Sequence, residues 1–322
     1  MTRKPVIGLA LGSGSARGWA HIGVIRALQA AGIRPDLVCG SSIGAVVGAA
    51  YALGELDRFE QWALGLTGRT VFSFMDFKLS GGMLKGERVI EFFRRNFSDR
   101  DIEALDMPFA AVATALHSGS EVWLRTGSTA DAVRASMALP GLFTPAQRDG
   151  RLLVDGGLVN PVPVSLARAM GADVVIAVDL NADILSRHLR SPARPAPPAE
   201  PVEQALEDEA ASAESSAPWV RRLQDGFVAL LPTGDHDRER LPSLLEVVMG
   251  SVNIMQVRIT RSRMAGEPPE VVIAPRLAHL GLLDFYRAAE AIEEGRKAAE
   301  GALPFLRQLG LGDHSIGKAF GA

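Results

Sequence analysis

Cysteine is nearly missing from this sequence of 322 residues: Cys39 stands alone, so no disulfide can form within the chain, and its apolar setting marks a small buried side chain. A reducing compartment is therefore expected. Long apolar runs are missing too. None approaches the ~18 residues that cross a bilayer, and the run after Arg3 and Lys4 breaks at Gly12 into a glycine-serine loop, without the cleavage site of a signal peptide. Excess charge of either sign is absent: the formal net charge is -3, which argues against a generic nucleic-acid partner. There is no internal repeat and no cluster at metal-ligand spacing, so neither a metal nor a cofactor is expected. What is present is the composition of an ordinary globular protein, 47% hydrophobic and 22% charged, long enough to bury a substantial core.

Residues 5 to 11, PVIGLAL, are aliphatic without polar alternation and predict a strand buried on both faces. The loop Gly12-Ser13-Gly14-Ser15-Ala16-Arg17-Gly18 follows. Then comes a helix to about Ala31, with His21, Val24, Ile25 and Leu28 on one face and Gly32 as its stop. A second buried strand, Asp36 to Cys39, leads into the abrupt turn Gly40-Ser41-Ser42-Ile43-Gly44 and an apolar helix rich in alanine and glycine. Strand, helix and strand form a βαβ unit, so the first two strands should be parallel, with loop and turn at the edge where such sheets gather reactive groups.

A serine flanked two residues away on each side by glycine, at a strand-to-helix turn, fits the nucleophile elbow G-x-S-x-G and makes Ser42 the candidate nucleophile. The glycines remove Cβ atoms that would collide as strand and helix pack, and the positive end of the following helix lies beside the hydroxyl. The plainer alternative is a small-residue packing turn. The preceding loop admits three readings. It could cradle a dinucleotide phosphate, although Arg17 replaces the last glycine of G-x-G-x-x-G; it could form an oxyanion hole from N–H groups around Gly14 and Ser15; or it could be a tight packing turn.

Asp57 with Glu60 predicts a reciprocally capped helix start, running through Leu64. Residues 71 to 84 read either as a flap lining an acyl site or as a loop packed on the core, and Glu87 to Phe97 as a helix. A hairpin is expected from Phe109 to Leu116 and Glu121 to Arg125, turning at His117 to Ser120. Ser128 with Asp131 caps a helix that Pro140 forces to stop by Leu139. The short strand Arg151 to Val154 then ends in Asp155-Gly156-Gly157, where an aspartate backed by two glycines can project toward a neighbouring strand end; Asp-Gly is also a common turn.

These blocks, in this order, resemble the bacterial patatin-like phospholipase family: the glycine loop ending in Arg17-Gly18, the Gly40-to-Gly44 elbow, the run Ala135-Ser136-Met137-Ala138-Leu139-Pro140-Gly141-Leu142-Phe143-Thr144-Pro145, and Asp155-Gly156-Gly157. They cover most of residues 5 to 180. The resemblance implies a serine-aspartate dyad lipid acyl hydrolase, with Ser42 as nucleophile, Asp155 as general base and an oxyanion hole at Gly12, Ser13, Gly14, Ser15 and Arg17. Gly18, Gly40, Gly44, Gly156 and Gly157 support these motifs. Where the family has a run of three glycines, this chain reads Ser13-Gly14-Ser15. Burial is expected to raise Asp155, because a carboxylate with pKa near ~3.9 is a weak base for an alcohol. Arg17 is expected to hold the loop through carbonyls, its other role being to meet a lipid phosphate. A triad using His279, in the chain order Ser, Asp, His, is the enzymatic rival, while His21 reads as a satisfied core histidine. The rival from another class is a regulatory or scaffold protein on the same fold, with weak or no hydrolysis.

After the strand Asp173 to Asp179 the composition shifts. Residues 191 to 218 collect proline, acidic residues, alanine and serine, which bury too little apolar surface to order themselves, so residues 183–240 are expected as a flexible insert able to recruit a protein partner, with Trp219 to Leu231 a small amphipathic element. Pro242 opens a helix, Ser243 to Met264, whose Arg258, Arg261 and Arg263 suit either anionic lipid or a solvated face. A strand, Glu270 to Ala274, and a covering helix, Leu283 to Leu306, follow. The expected architecture is one α/β domain over 1–322, with a mainly parallel central sheet flanked by helices on both faces, a core at 5–180 and a completion at 241–322. The expected substrate is a lipid or small ester, the expected location cytoplasmic with room for peripheral contact at the inner membrane face, and the oligomeric state stays open.

Overall fold

A computed structural model describes residues 3–70, 94, 98–183 and 244–312. The chain divides by its contacts into two units, 1–187 with 254–322, and 188–253. Of the second unit, residues 244–253 are described, and they are helical. The expected flap at 71–84, the helix at 87–97 apart from Arg94, the insert core at 191–218 and the amphipathic element at 219–231 lie outside the described residues.

The strands are β1 (Ile7–Leu11), β2 (Leu37–Ser41), β3 (Phe109–Ala115), β4 (Glu121–Leu124), β5 (Ala146–Arg148), β6 (Arg151–Asp155), β7 (Val174–Val178) and β8 (Val271–Ile273). They form one eight-stranded sheet in the order β5-β6-β3-β2-β1-β7-β8, with β4 beside β3. The long central part is parallel, as β1 pairs with β2 and β7, β2 with β3, and β7 with β8. Among the described strands, the pairings β3-β4, β3-β6 and β5-β6 are antiparallel. The sheet is therefore mixed and mostly parallel, and the fold is α/β. The helices are α1 (Ala20–Ala30), α2 (Ile43–Ala52), α3 (Leu56–Leu64), α4 (Thr129–Ser136), α5 (Val164–Ala169), α6 (Leu244–Gly266) and α7 (Ala288–Gln308).

Every residue of β1 and β2 is buried because helices cover both faces. The pleat divides their side chains: Leu9, Leu11 and Val38 enter one core with α1, α2 and α7, while Ala10, Leu37 and Cys39 enter the other with Val164, Leu166 and Ala167 of α5. Each fully buried leucine contributes about 1.5–3 kcal/mol. Trp19 closes a single 3-10 turn, Ser15–Trp19, that leads into α1. Its ring lies 5.6 Å from Phe59, 5.8 Å from Trp62 and 5.9 Å from Phe285, and its Nε1–H donates to Phe285 O at 3.0 Å. That cluster fastens the exit of the glycine loop to α3 and to the turn before α7.

One local expectation is corrected. The helix after Leu53 does not start from an Asp57–Glu60 capping box: α3 begins at Leu56, with Glu55 at the N-cap position and no side-chain cap bond. A guanidinium on the neighbouring α1 outcompetes the cap. Arg26 donates to Glu60 Oε2 at 2.7 and 2.9 Å and pairs also with Asp57. Elsewhere the capping signal holds, since Ser128 Oγ accepts from Asp131 N at the start of α4. The β5 strand and helix α5 are not legible in the sequence, because three and six residues carry too little periodicity.

Candidate active site

The sheet itself brings the site together, through β3. On one edge of β3, β4 covers Ala111 to Thr114. A stretch of strand edge holds one partner, so β2, on Val38↔Phe109 to Ser41↔Val112, and β6, on Ala113↔Asp155 to Ala115↔Leu153, share the opposite edge. Since β2 runs parallel to β3 and β6 antiparallel, their C-terminal ends meet head to head. Ser41 lies opposite Val112, and Asp155 opposite the next residue, Ala113.

Beyond Ser41 the chain turns at once into α2, with Ser42 at its N-cap in the left-handed half of conformational space, φ 57 and ψ -125. A non-glycine residue there is strained and is held by what surrounds it. The Ser42 amide donates to Ser136 Oγ at 2.9 Å, and its own Oγ–H donates to Asp155 Oδ2 at 2.5 Å. The glycines on either side cannot carry a side chain: a Cβ on Gly40 would sit 2.3 Å from Gly44 carbonyl atoms, and one on Gly44 would sit 2.2 Å from Leu11 O. At Gly18 and Gly156 a Cβ would meet Ile43 at 2.0 Å and Val112 O at 2.2 Å.

Asp155 is fully buried. Its Oδ1 accepts from Gly157 N at 2.7 Å, its amide donates to Ala138 O at 3.0 Å, and its carbonyl accepts from Thr114 Oγ1 at 2.8 Å. Burial pushes its pKa up from 3.8 to about 6, against the smaller opposing effects of the Ser42 and Gly157 hydrogen bonds. A carboxylate so placed is a better proton acceptor than an ordinary one and still ionised at neutral pH.

The glycine loop abuts the start of α2, and its polar backbone groups are almost all engaged. Gly12 N donates to Val178 O at 3.0 Å and Ser13 N to Pro161 O at 2.9 Å, so these two amides, expected among the oxyanion donors, are committed elsewhere. Gly12 O accepts from His21 Nε2 at 2.7 Å, Ser13 O from Asn181 Nδ2 at 3.2 Å, and Gly14 O from Arg17 N at 3.2 Å. Ala16 N donates to Leu282 O at 3.1 Å. Among the described residues, the amides of Gly14 and Ser15 have no acceptor. Ser15 adopts φ 50, and Gly14 is extended at φ 166, so the serines that replace glycine have not kept the loop from a tight turn.

Arg17 is buried, with Nε donating to Leu280 O at 3.0 Å and Nη1 donating to Asn181 Oδ1 at 3.5 Å. His21 is fully buried and kept neutral: burial lowers its pKa from 6.5 to about 4. His279 is far from a triad role in its contacts, since its Nε2 pairs with Glu290 Oε1 at 2.8 Å at a half-exposed position, while Asp155 meets Ser42 directly. Of the three α6 arginines, Arg263 pairs with Glu121 at 2.7 Å. Gly157 leaves room for Gln256 of α6: a Cβ there would lie 2.5 Å from Gln256 Nε2, 2.9 Å from Asp155 Oδ1 and 3.0 Å from Ser13 Oγ.

Four contributors carried no role in the sequence reading: Thr114, Ser136, Asn181 and Gln256. Ser136 was within reach, since it belongs to the Ala135-to-Pro145 block. The others are single polar residues, Thr114 in β3, Gln256 in α6 and Asn181 in the turn after β7, and nothing local distinguishes them. Among the described residues no group of three or more His, Cys, Asp or Glu could hold a metal ion, and no helix is long and apolar enough to cross a membrane.

Comparison with known proteins fixes the class. A model of the family described as patatin-like phospholipase matches residues 9–168. The chain is 36% identical over 335 residues to NTE family proteins of Mycobacterium bovis and Mycobacterium tuberculosis, covering 93% of this chain and 92% of theirs. It is also 39% identical over 183 residues to patatin-like phospholipase domain-containing protein 6 of Homo sapiens, an alignment of 54% of this chain and 13% of that protein. The crystal structure of VipD from Legionella pneumophila aligns at 15% identity with a TM-score of 0.41, over 93% of this chain and 66% of that one. The chain belongs to the patatin-like phospholipase family, and more narrowly to its NTE-type members. Its general class is therefore that of the lipid ester hydrolases.

Proposed function

We propose that this protein is a serine phospholipase A or esterase that works with a Ser42–Asp155 dyad and an acyl-enzyme intermediate. The observation that carries the proposal is the 2.5 Å contact between Ser42 Oγ and Asp155 Oδ2 at a strained elbow. Asp155 Oδ2 takes the hydroxyl proton as Oγ bonds to the ester carbonyl carbon. The carbonyl π electrons move onto oxygen, where the Gly14 and Ser15 amides receive the charge. As the tetrahedral centre collapses, the bond to the leaving oxygen breaks and that oxygen takes the proton from Asp155. A water then gives its proton to Asp155 and its oxygen to the acyl carbon, Ser42 recovers its proton, and the free acid leaves.

Each donor of an oxyanion hole contributes about 3–4 kcal/mol to such a step, so two amides matter as much as the base. In this reading Arg17 holds the loop and does not touch substrate. The substrate is a lipid ester reached by peripheral contact with a membrane. Treatment with a fluorophosphonate probe tests the proposal, with hydrolysis of p-nitrophenyl esters of graded chain length beside it. Wild type should be labelled and active, and Ser42→Ala and Asp155→Ala neither. Absence of labelling in folded wild type would overturn it in favour of a regulatory or scaffold role.

A further inference from the structure

A peptide unit is rigid and trans, so its C=O and N–H point in opposite directions, and whatever holds the carbonyl aims the amide. At the glycine loop this rule singles out two groups. The Ser13 carbonyl accepts from Asn181 Nδ2, which aims the Gly14 N–H the other way; the Gly14 carbonyl accepts from Arg17 N, which does the same for Ser15 N–H. The second hold is local, part of the 3-10 turn. The first comes from a residue 168 positions away.

Asn181 is itself held. Its Nδ2 also donates to Gln256 Oε1 at 3.3 Å, and the same Oε1 accepts from Ser13 Oγ at 3.1 Å. Its own amide donates to Asp179 Oδ1 at 2.9 Å. Ser13, Asn181 and Gln256 are all at most 5% exposed, so bulk water is a poor substitute for any of these bonds. Gln256 thus grips Ser13 twice, once through the hydroxyl and once through Asn181. The hydroxyl exists only because the loop has serine where a glycine would offer no catch.

We propose that Asn181 and Gln256 are positioning residues that aim the Gly14 amide at the oxyanion, with the Ser13 hydroxyl as the anchor that makes the serine-containing loop competent. The proposal rests on the hydrolase reading above. Neither residue needs to touch substrate. Their effect passes through the orientation of one peptide plane, and misplacing a catalytic group by about 1 Å is enough to lower turnover about 100-fold.

The experiment compares Asn181→Leu, Gln256→Met, Ser13→Ala and the double variant Ser13→Ala/Gln256→Met, which preserve size while removing bonds. Readouts are kcat and KM on p-nitrophenyl acetate and butyrate, and the rate of fluorophosphonate labelling. Asn181→Leu is expected to lower kcat and labelling about 100-fold, and Gln256→Met about 10-fold, with KM within about threefold. In the double variant the loss should fall well short of the product of the two single losses, because the bond between the Ser13 hydroxyl and Gln256 is already gone in either single variant, leaving only the route through Asn181 to add. A purely structural role would instead lower melting temperature with additive effects. If Asn181→Leu does not fold, Ser13→Ala, which removes one oxygen, carries the test through its labelling rate, expected to fall several-fold. Folded variants within threefold of wild type, losses confined to KM, or strict multiplication in the cycle would overturn the positioning role while labelled wild type leaves the hydrolase reading intact. Unlabelled wild type would overturn both.

Discussion

Replacing Asp155 by asparagine should abolish activity and make the protein more stable at neutral pH. The carboxyl has an ordinary value of 3.8 and is pushed by burial to about 6, so it holds its proton more tightly in the fold than in the open chain. With the folded value raised, the stabilisation from this group is fully present below pH 3.8, fades as pH rises from 3.8 through about 6, and is gone above that. A gap of about two pH units at about 1.4 kcal/mol each makes ionising Asp155 inside the fold cost about 3 kcal/mol. Asp155→Asn is neutral at every pH, and its amide can still accept from Gly157 N and donate to Ser42 Oγ. It should therefore exceed wild type by about 3 kcal/mol at pH 8, or about 6 °C at the lower end of the usual conversion. The excess should vanish near pH 4. Thermal melts of both proteins at pH 4, 6 and 8 read the difference, and fluorophosphonate labelling reads the loss of function. In wild type the acid limb of kcat/KM should fall near pH 6, since the base works ionised. A variant no more stable at pH 8, or an excess unchanged between pH 4 and 8, would refute the reasoning.

Two further expectations follow from the contacts. His279→Ala should keep kcat on short esters within about twofold and cost under about 1 kcal/mol, because its contact with Glu290 is half-exposed to solvent; loss of activity with an unchanged circular dichroism spectrum would restore the triad. Gly44→Ala should fail to accumulate as folded protein, given the 2.2 Å approach to Leu11 O, whereas Gly301→Ala, in the interior of α7 with nothing within 4 Å, should stabilise by about 0.5–1 kcal/mol. Equal melting temperatures for the two would contradict that account.

Much of this was legible in the linear chain, for reasons that can be named. The buried strands β1 and β2 announce themselves as unbroken aliphatic runs, the stop of α1 is set by Gly32 at φ 74, and the βαβ unit fixes β1 and β2 as parallel. Ser42 and Asp155 are marked by glycines that steric crowding demands. The direction of β6 was not legible, because its pattern is the same whether it runs with β3 or against it. Yet that direction is what turns two strand ends toward each other. Nor could the chain reveal that Arg26 would draw Asp57 and Glu60 away from a cap, or that Asn181 and Gln256 would meet Ser13. Such bonds join residues whose neighbours say nothing about them.

The head-to-head meeting of β2 and β6 has a kinetic side. Ser42 and Asp155 are 113 positions apart, and neither pairing that carries them can form from neighbouring chain alone. The hydroxyl and carboxylate come within reach only after β3 has recruited both partners to one edge, and β6 is secured there by the register pairs Ala113↔Asp155, Thr114↔Val154 and Ala115↔Leu153. Loop-closure entropy for both connections must be met first. Closure of that sheet edge is thus what brings the Ser42 hydroxyl to the Asp155 carboxylate, and peeling β6 from β3 would part the two while the parallel pairings of β1, β2 and β7 stay in place.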